Sequence, residues 1–216
     1  MGSEKKNREI EVKLRVQDVE SLLARLNAMG AQRIGRAFEE NTLFDTEDRA
    51  FRKREAILRL RREQKLGLGG ERRQKRRRAG MLRGGILTFK ELLEGRKAAK
   101  AKYKEREEIE YRVKDVRRFE AVLRRIGMRA WFRYEKYRTK YGAERYPGLS
   151  FDLDETPIGA FLELEGPGRQ IDRAAKALGY SPDEYITASY LELYAAEHPR
   201  RGQKFGTMTF KKQKSR

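Results

Sequence analysis

Glu9-Ile10-Glu11-Val12-Lys13-Leu14-Arg15-Val16 alternates strictly, with four aliphatic residues interleaved with four charged ones. Successive side chains of a strand point to opposite faces, so this stretch reads as a β-strand with one apolar and one ionic face. The same period returns along the chain. It is present around Glu39 to Asp45, at Leu58 and Leu60 against Arg59 and Arg61, and at Leu87 and Phe89 against Thr88 and Lys90. Ile109, Tyr111 and Val113 alternate with Glu108, Glu110 and Arg112, and Trp131 to Tyr141 places Lys136, Arg138 and Lys140 on one face. Leu149, Phe151 and Leu153 oppose Ser150, Asp152 and Asp154, and Leu162 and Leu164 oppose Glu163 and Glu165. That makes eight strands, a number that can close an up-and-down barrel.

Helical periodicity is rarer. Val19, Leu22, Leu23, Leu26 and Met29 fit an amphipathic helix capped by Asp18; Val116, Phe119, Val122, Leu123 and Ile126 fit a second, capped near Asp115. A short helix fits Ile171 to Leu178. Ser181-Pro182-Asp183-Glu184 is a capping box with proline at the first helical position, which predicts a helix running to about Glu197. Glu9-Ile10-Glu11, a strand, Asp18-Val19 and a helix recur as Glu108-Ile109-Glu110, a strand, Asp115-Val116 and a helix, an echo that suggests two similar halves of one barrel. The expected fold is α+β: an eight-stranded antiparallel β-barrel with helices packed outside. One domain spans residues 1–198 with a basic insertion at about 64–85, and residues 199–216 read as a flexible basic tail.

The polar faces of these strands are unusual. Like charges stand at i, i+2 in Glu9/Glu11, Arg59/Arg61, Glu108/Glu110, Lys136/Arg138, Asp152/Asp154 and Glu163/Glu165. Such pairs lie roughly 6.5 to 7 Å apart along a strand and repel. Water screens that repulsion on an outer face. If the rows face the barrel interior instead, acidic and basic strands line one cavity and the apolar faces turn outward beneath the helices.

Composition narrows the chemistry. The 216 residues contain no cysteine and one histidine, His198, which excludes disulfides and thiol nucleophiles and leaves no room for a histidine-rich metal site or a Ser-His triad. No apolar run approaches the length of a membrane span and no signal-peptide core is present, so a cytoplasmic protein without membrane contact is expected. The net charge of +19 is concentrated: Arg72 to Arg83 carries seven basic residues and no acid, and Arg200 to Arg216 carries seven more. The rest is mixed, so the overall charge says little about the main site. Clustered carboxylates without histidine or cysteine suit hard cations, Mg2+ or Mn2+. Clustered Lys and Arg suit phosphate oxygens. A metal-bridged polyphosphate needs both sets face to face. Gly67-Leu68-Gly69-Gly70 lacks the Gly-Lys-Ser/Thr of a P-loop, so side chains must grip the phosphates.

Glu9-Ile10-Glu11-Val12-Lys13 also matches the ExExK signature of a known superfamily, and further motifs follow in order. These are Asn41-Thr42-Leu43-Phe44-Asp45-Thr46, Leu58-Arg59-Leu60-Arg61, Thr88-Phe89-Lys90, and Arg106 with Glu108 and Glu110. Glu135-Lys136-Tyr137-Arg138, Asp152-Leu153-Asp154, Phe161-Leu162-Glu163-Leu164-Glu165-Gly166 and Ser189-Tyr190-Leu191 complete the set, from Glu9 to about Tyr194. The chain resembles the CYTH superfamily, the triphosphate tunnel metalloenzymes named for class IV adenylyl cyclases and thiamine triphosphatases. The resemblance implies an eight-stranded tunnel and a metal-dependent enzyme acting on a triphosphate-containing small molecule. It implies that Glu9, Glu11, Glu163 and Glu165 bind divalent metal, with Glu108, Glu110 and Asp154 as further acidic contacts. It implies that Lys13, Arg59, Arg61, Lys90, Lys136 and Arg138 clamp the triphosphate.

Three outcomes stay open at this level. Hydrolysis of a phosphoanhydride needs only a positioned water. Class IV adenylyl cyclase chemistry, ATP to cyclic AMP and pyrophosphate, is suggested by the likeness of Glu135-Lys136-x-Arg138 and the Thr156-Pro157-Ile158-Gly159 turn to such cyclases. A non-catalytic polyphosphate or RNA binder would use the Arg72–Arg83 run and the basic tail, which could otherwise be a lid or a solvated loop. The aromatics at Trp131, Phe132, Tyr134, Tyr137 and Tyr141 are either a stacking platform for bases or packing under the helices. His198 is expected to be exposed and without a catalytic role. Oligomeric state leaves no trace in the sequence.

Overall fold

The computed structural model describes residues 8–67, 84–92, 102–198 and 206–211. Its strands are β1 (Arg8–Val16), β2 (Gln32–Asp45), β3 (Ile57–Leu66), β4 (Gly85–Leu92), β5 (Lys104–Val113), β6 (Arg129–Gly142), β7 (Ser150–Thr156), β8 (Gly159–Glu165) and a two-residue β9 (Thr207–Met208). The helices are α1 (Val19–Ala28), α2 (Ala50–Lys53), α3 (Val116–Arg125), α4 (Gly168–Ala177) and α5 (Tyr190–Glu197). The first eight strands pair antiparallel in the cyclic order β1-β8-β7-β6-β2-β3-β4-β5, and the β2–β6 and β1–β5 pairings close the ring. Closure leaves no free edge among these eight strands. No helix among the described residues is long and apolar enough to cross a membrane.

The alternation resolves as ionic inside and apolar outside. Val12, Leu14 and Val16 of β1 and Leu162 and Leu164 of β8 turn outward and are buried beneath Leu22 and Leu26 of α1 and Ile171, Ala174 and Ala175 of α4. Leu58 and Leu60 of β3 and Phe44 of β2 pack under Val116 and Leu123 of α3. Each such Leu or Phe contributes about 1.5 to 3 kcal/mol by leaving water. The main hydrophobic cores therefore lie between barrel and helices, which frees the lumen for charge. Coverage is incomplete on β5, where Ile109 and Tyr111 stay exposed on the outer face.

The echo between the halves is structural. A constant separation of 97 residues relates Arg8 to its partner Glu105, and the same step takes Asp18 to Asp115, both N-caps of ten-residue helices. It also takes Gly30 to Gly127, both left-handed, at the exits of those helices. Two cross-strand pairs join residues 97 apart, Glu9 with Arg106 and Glu39 with Lys136, so a pseudo-two-fold passes through both. The repeats, β1-α1-β2-β3-β4 and β5-α3-β6-β7-β8, differ in charge. The first supplies Arg59, Arg61 and Lys90 from β3 and β4, and the second supplies Asp152, Asp154, Glu163 and Glu165 from β7 and β8. Fold symmetry thus sets the basic strands β3 and β4 against the acidic strands β7 and β8, while β1 and β5 carry both signs and β6 is basic.

Two expectations need correction. The helix predicted from Ser181 to Glu197 is broken: Pro182–Glu184 is a single 3-10 turn, and α5 begins at Tyr190 with its own capping box, Ser189 with Glu192. Between them Ile186 exchanges both backbone hydrogen bonds with Lys13, at 2.9 Å each. There β1 has run past the start of β5, and the 185–189 segment fills the open side of the strand. The basic tail also has structure within it, since Thr207–Met208 pairs in parallel with β6 and Phe210 packs on Tyr137. The Arg72–Arg83 run lies outside the described residues.

Candidate active site

The lumen holds a cavity of about 210 Å³. Alternation from β1 delivers Glu9, Glu11 and Lys13 to its wall, β3 delivers Arg59 and Arg61, and β4 delivers Lys90. The wall continues with Glu108 and Glu110 of β5, Lys136 and Arg138 of β6, and Glu163 and Glu165 of β8. Twelve of the thirteen residues expected in the site therefore converge on one space. The thirteenth, Asp154, does not line it. Asp154 lies behind the wall, accepting from Lys136 at 2.8 Å, from Arg138 at 2.7 and 2.6 Å, and from the Tyr190 hydroxyl at 2.8 Å. These hydrogen bonds make it a post for the clamp cations.

The wall is a lattice of short ion pairs. Lys90 Nζ lies 2.6 Å from Glu9 and 3.1 Å from Glu108. Lys13 lies 3.1 Å from Glu11 and 3.3 Å from Glu163. Arg61 meets Glu63 at 3.0 Å, and Arg59 donates to Thr88 Oγ1 at 3.2 Å, which in turn donates to Glu110 at 3.0 Å. Arg138 also pairs with Asp152 and with Glu163. At one end of the lumen Tyr190 and Leu191 of α5 enter the cavity wall. The Tyr190 ring packs on Phe161 and Tyr134, and Lys13 and Lys136 stand over its face. Phe132 meets Tyr194 of α5 and Tyr134 meets Tyr190, so these aromatics pack under α5. His198, expected to be exposed, is half-buried and stacks on Tyr194.

Sequence reasoning missed Lys104 and quoted Arg106 in a motif without giving it a role; both share the inner face of β5 with Glu108 and Glu110 and line the same cavity. Strand parity alone could have found them. It also missed Glu39, a buried acid of β2 held between Lys136 at 3.6 Å and Arg61 at 3.8 Å.

Electrostatics divide the acids into two groups. Burial alone would raise the Glu39 carboxyl, but Lys136, Arg138 and Arg61 overcome it and hold the pKa at about 2. Burial likewise works against Glu11, and Lys104, Lys13 and Lys90 pull it well below the ordinary range. Burial prevails at Glu165, pushed up to about 7 with the help of Glu9 and Glu11, and at Glu108, pushed up to about 7 with the help of Glu9. The second group therefore contains carboxylates in excess of their cations, as expected where an external cation completes the charge.

The donor set fits a hard divalent ion, because every acid facing the lumen offers carboxylate oxygen. Among the described residues no three of these acids stand close enough to encircle an ion by themselves. Magnesium usually takes one or two carboxylates and completes its shell with water and substrate phosphate. The residues fit that mode of binding.

The Glu39 shift has a consequence for stability. Its folded pKa lies below the ordinary value of 4.5, so the stabilisation is full above pH 4.5 and is lost as pH falls toward 2. The loss attributable to this group is about 3 kcal/mol. Urea unfolding of the wild-type chain between pH 6 and pH 2.5 is expected to show a steeper fall than that of Glu39→Gln. Parallel curves would deny Glu39 this role.

A family model described as the CYTH domain matches residues 7–190. The chain belongs to the CYTH domain family. A protein of Methanocaldococcus jannaschii named "putative adenylate cyclase" is 28% identical over 195 residues, spanning 86% of this chain and 97% of that one. Among solved structures, PH1819 from Pyrococcus horikoshii superimposes with a TM-score of 0.68 at 22% identity, covering 88% of this chain and 99% of the other. A Hippeastrum protein, described as a "putative adenylyl cyclase" that reveals a dominant triphosphatase activity, gives a TM-score of 0.55 at 17% identity, covering 89% of this chain and 97% of the other. At such identities the two structures speak for the CYTH tunnel fold alone.

Proposed function

We propose that the chain is a divalent-cation-dependent enzyme that hydrolyses a phosphoanhydride bond of a triphosphate. The observation that carries this reading is the pairing of a basic wall with an acidic wall inside one closed lumen. Nine Lys and Arg side chains line the cavity against six glutamates, with Glu39, Asp152 and Asp154 directly behind. A polyanion alone would face those glutamates, and a cation alone would face those lysines. A cation-bridged triphosphate satisfies both.

Glu9, Glu11, Glu108, Glu163 and Glu165 would hold Mg2+ or Mn2+, which supplies charge neutralisation at the phosphoryl group and activation of water when bound. The chain's own residues do the rest. Arg59, Arg61, Lys90, Lys13, Lys136 and Arg138 bind the phosphate oxygens and meet the charge that develops as the phosphorus–oxygen bridge breaks. In hydrolysis the oxygen of water bonds to phosphorus, the bridging oxygen leaves with the bond's electron pair, and the water gives up a proton. The pairs made by Lys13, Lys90 and Lys136 before substrate arrives keep the cations in place, which limits reorganisation on binding.

The named relative favours a second reading, an adenylyl cyclase. There the ribose 3′-hydroxyl attacks the α-phosphorus of ATP and pyrophosphate leaves. Incubation with Mn2+ and either ATP or tripolyphosphate separates the two. Orthophosphate from both substrates is expected. Cyclic AMP with pyrophosphate from ATP, and no turnover of tripolyphosphate, would replace hydrolysis by cyclisation.

A further inference from the structure

The step that relates the two halves of the barrel takes Val12 to Ile109 and Leu14 to Tyr111, each pair on the outer face of its strand. Val12 and Leu14 are fully buried beneath Ile171, Ala174 and Ala175 of α4, whereas Ile109 is 62% exposed and Tyr111 67%. α4 follows β8. In the sequence its place after β4 falls to Gly95-Arg96-Lys97-Ala98-Ala99-Lys100-Ala101, which lies outside the described residues and holds no large apolar side chain. The row on β5 therefore keeps the apolar character of its twin, while the described residues leave it bare. An exposed apolar row of this kind marks a contact surface. Next to it, α3 stands over β3 and β4: Val116 and Leu123 pack with Leu58 and Leu60, and Leu87 and Phe89 join the same cluster. On its solvent side α3 carries a second apolar stripe, Val122 at 52% exposure and its cap Ile126 at 65%, at helical spacing with Arg118 and Arg125. The two surfaces have rims of opposite charge. Glu107 and Glu91 stand opposite each other beside Ile109 on the strand side, and the exposed Arg118 and Arg125 flank the helix stripe.

We propose that these two surfaces bind a second copy of this chain, with α3 of each protomer covering β5 of the other about a two-fold axis. A helix adds about 10 Å to the sheet it lies on, so the covered β4 beside the bare β5 forms a step. Two such steps interlock when one is turned over onto the other, which makes the contact self-complementary and closed. Each pairing sets Val122 and Ile126 on Ile109 and Tyr111, the kind of cover that α4 gives Val12 and Leu14. It also brings two arginines to two glutamates. Pairing β5 with β5 would leave the α3 stripe in water and set no arginine of α3 against an acid. The surface is smaller than the roughly 20 to 30 residues a side of a standard interface, so the dimer is expected to dissociate in the micromolar range. The contact asks nothing of the lumen and stands apart from the triphosphate reading.

Sedimentation velocity on the full chain, from about 1 to about 200 µM, reads the association directly. The wild type is expected to pass from 25.4 kDa to twice that mass across this range, and added salt should shift the transition upward. Ile109→Lys and Val122→Glu each spoil both reciprocal contacts and should raise the dissociation constant by about 10-fold or more. Both side chains are exposed, so melting curves should show the fold intact. A one-to-one mixture of the two variants should recover part of the dimer, because the mixed pair keeps one native contact and sets the introduced lysine against the introduced glutamate. A wild-type chain that stays monomeric at the top of the range overturns the proposal. So does a dimer indifferent to Val122→Glu, which would pair β5 with β5. A monomer whose melting temperature falls on Ile109→Lys would assign the cover to another segment of the same chain and exclude the second copy.

Discussion

Glu165→Gln is expected to lower turnover on tripolyphosphate by about 100- to 1000-fold while leaving thermal stability unchanged or slightly raised. The two halves of this outcome come from one fact. Burial holds the Glu165 carboxyl at about 7, with the help of its neighbours Glu9 and Glu11. An isosteric neutral side chain removes repulsion that the fold otherwise bears, so folding loses nothing. The same substitution removes a carboxylate from the side of the cavity where acids exceed cations, and that excess is what a divalent ion needs. Steady-state rates over a Mn2+ titration, with melting curves alongside, check both halves. Excess Mn2+ should restore part of the rate. A polyanion binder with a structural tunnel would behave differently: its salt-sensitive affinity for polyphosphate would survive Glu165→Gln and need no divalent ion. Unchanged turnover would remove Glu165 from the site.

Much of this arrangement is legible in the sequence because a strand has period two and a closed barrel has an inside. Once Ile10, Val12 and Leu14 are assigned to helix-covered faces, Glu9, Glu11 and Lys13 must face inward, and the same parity carries Arg59, Lys90, Lys136 and Glu163 with them. Parity fails where the start of a strand is hidden. Lys104 and Arg106 follow a glycine-rich and basic stretch from Gly67 onward that masks the beginning of β5, so the strand is read from Glu108. It fails again where a tertiary contact overrides a local signal. The capping box at Ser181 is real, but Ile186 is recruited to the open side of β1 and ends the turn after one cycle, although Ser189-x-x-Glu192 was there to mark the true start of α5. The two residues of β9 are too few to show any period. What parity cannot say is which inward acid is free and which is engaged. Glu165 and Asp154 read alike, and only the neighbours tell them apart: Lys136, Arg138 and Tyr190 engage Asp154, whereas Glu165 has no ion pair among the described residues.

That distinction sets the expectation for Asp154→Ala, a loss of about 3 to 5 kcal/mol in unfolding free energy, the usual penalty for removing one partner of a buried ion pair. Asp154 is fully buried and anchors three groups at once: the Lys136 ammonium, the Arg138 guanidinium and the Tyr190 hydroxyl. Deleting it leaves two cations side by side with fewer acids. Arg138 retains Asp152 and Glu163, but Lys136 keeps Glu39 at 3.6 Å as its remaining partner. Tyr190 loses its acceptor, and Tyr190 is one of the two residues through which α5 enters the cavity wall. The midpoint of thermal unfolding should drop by roughly 10 °C for a chain of this size. Were Asp154 a metal ligand, as the motif alone implies, its removal would weaken divalent affinity and leave the metal-free protein as stable as before. Melting curves taken in chelator therefore separate the two roles. A drop of that size without metal present identifies Asp154 as the post that holds the clamp cations, and an unchanged midpoint returns it to the list of ligands.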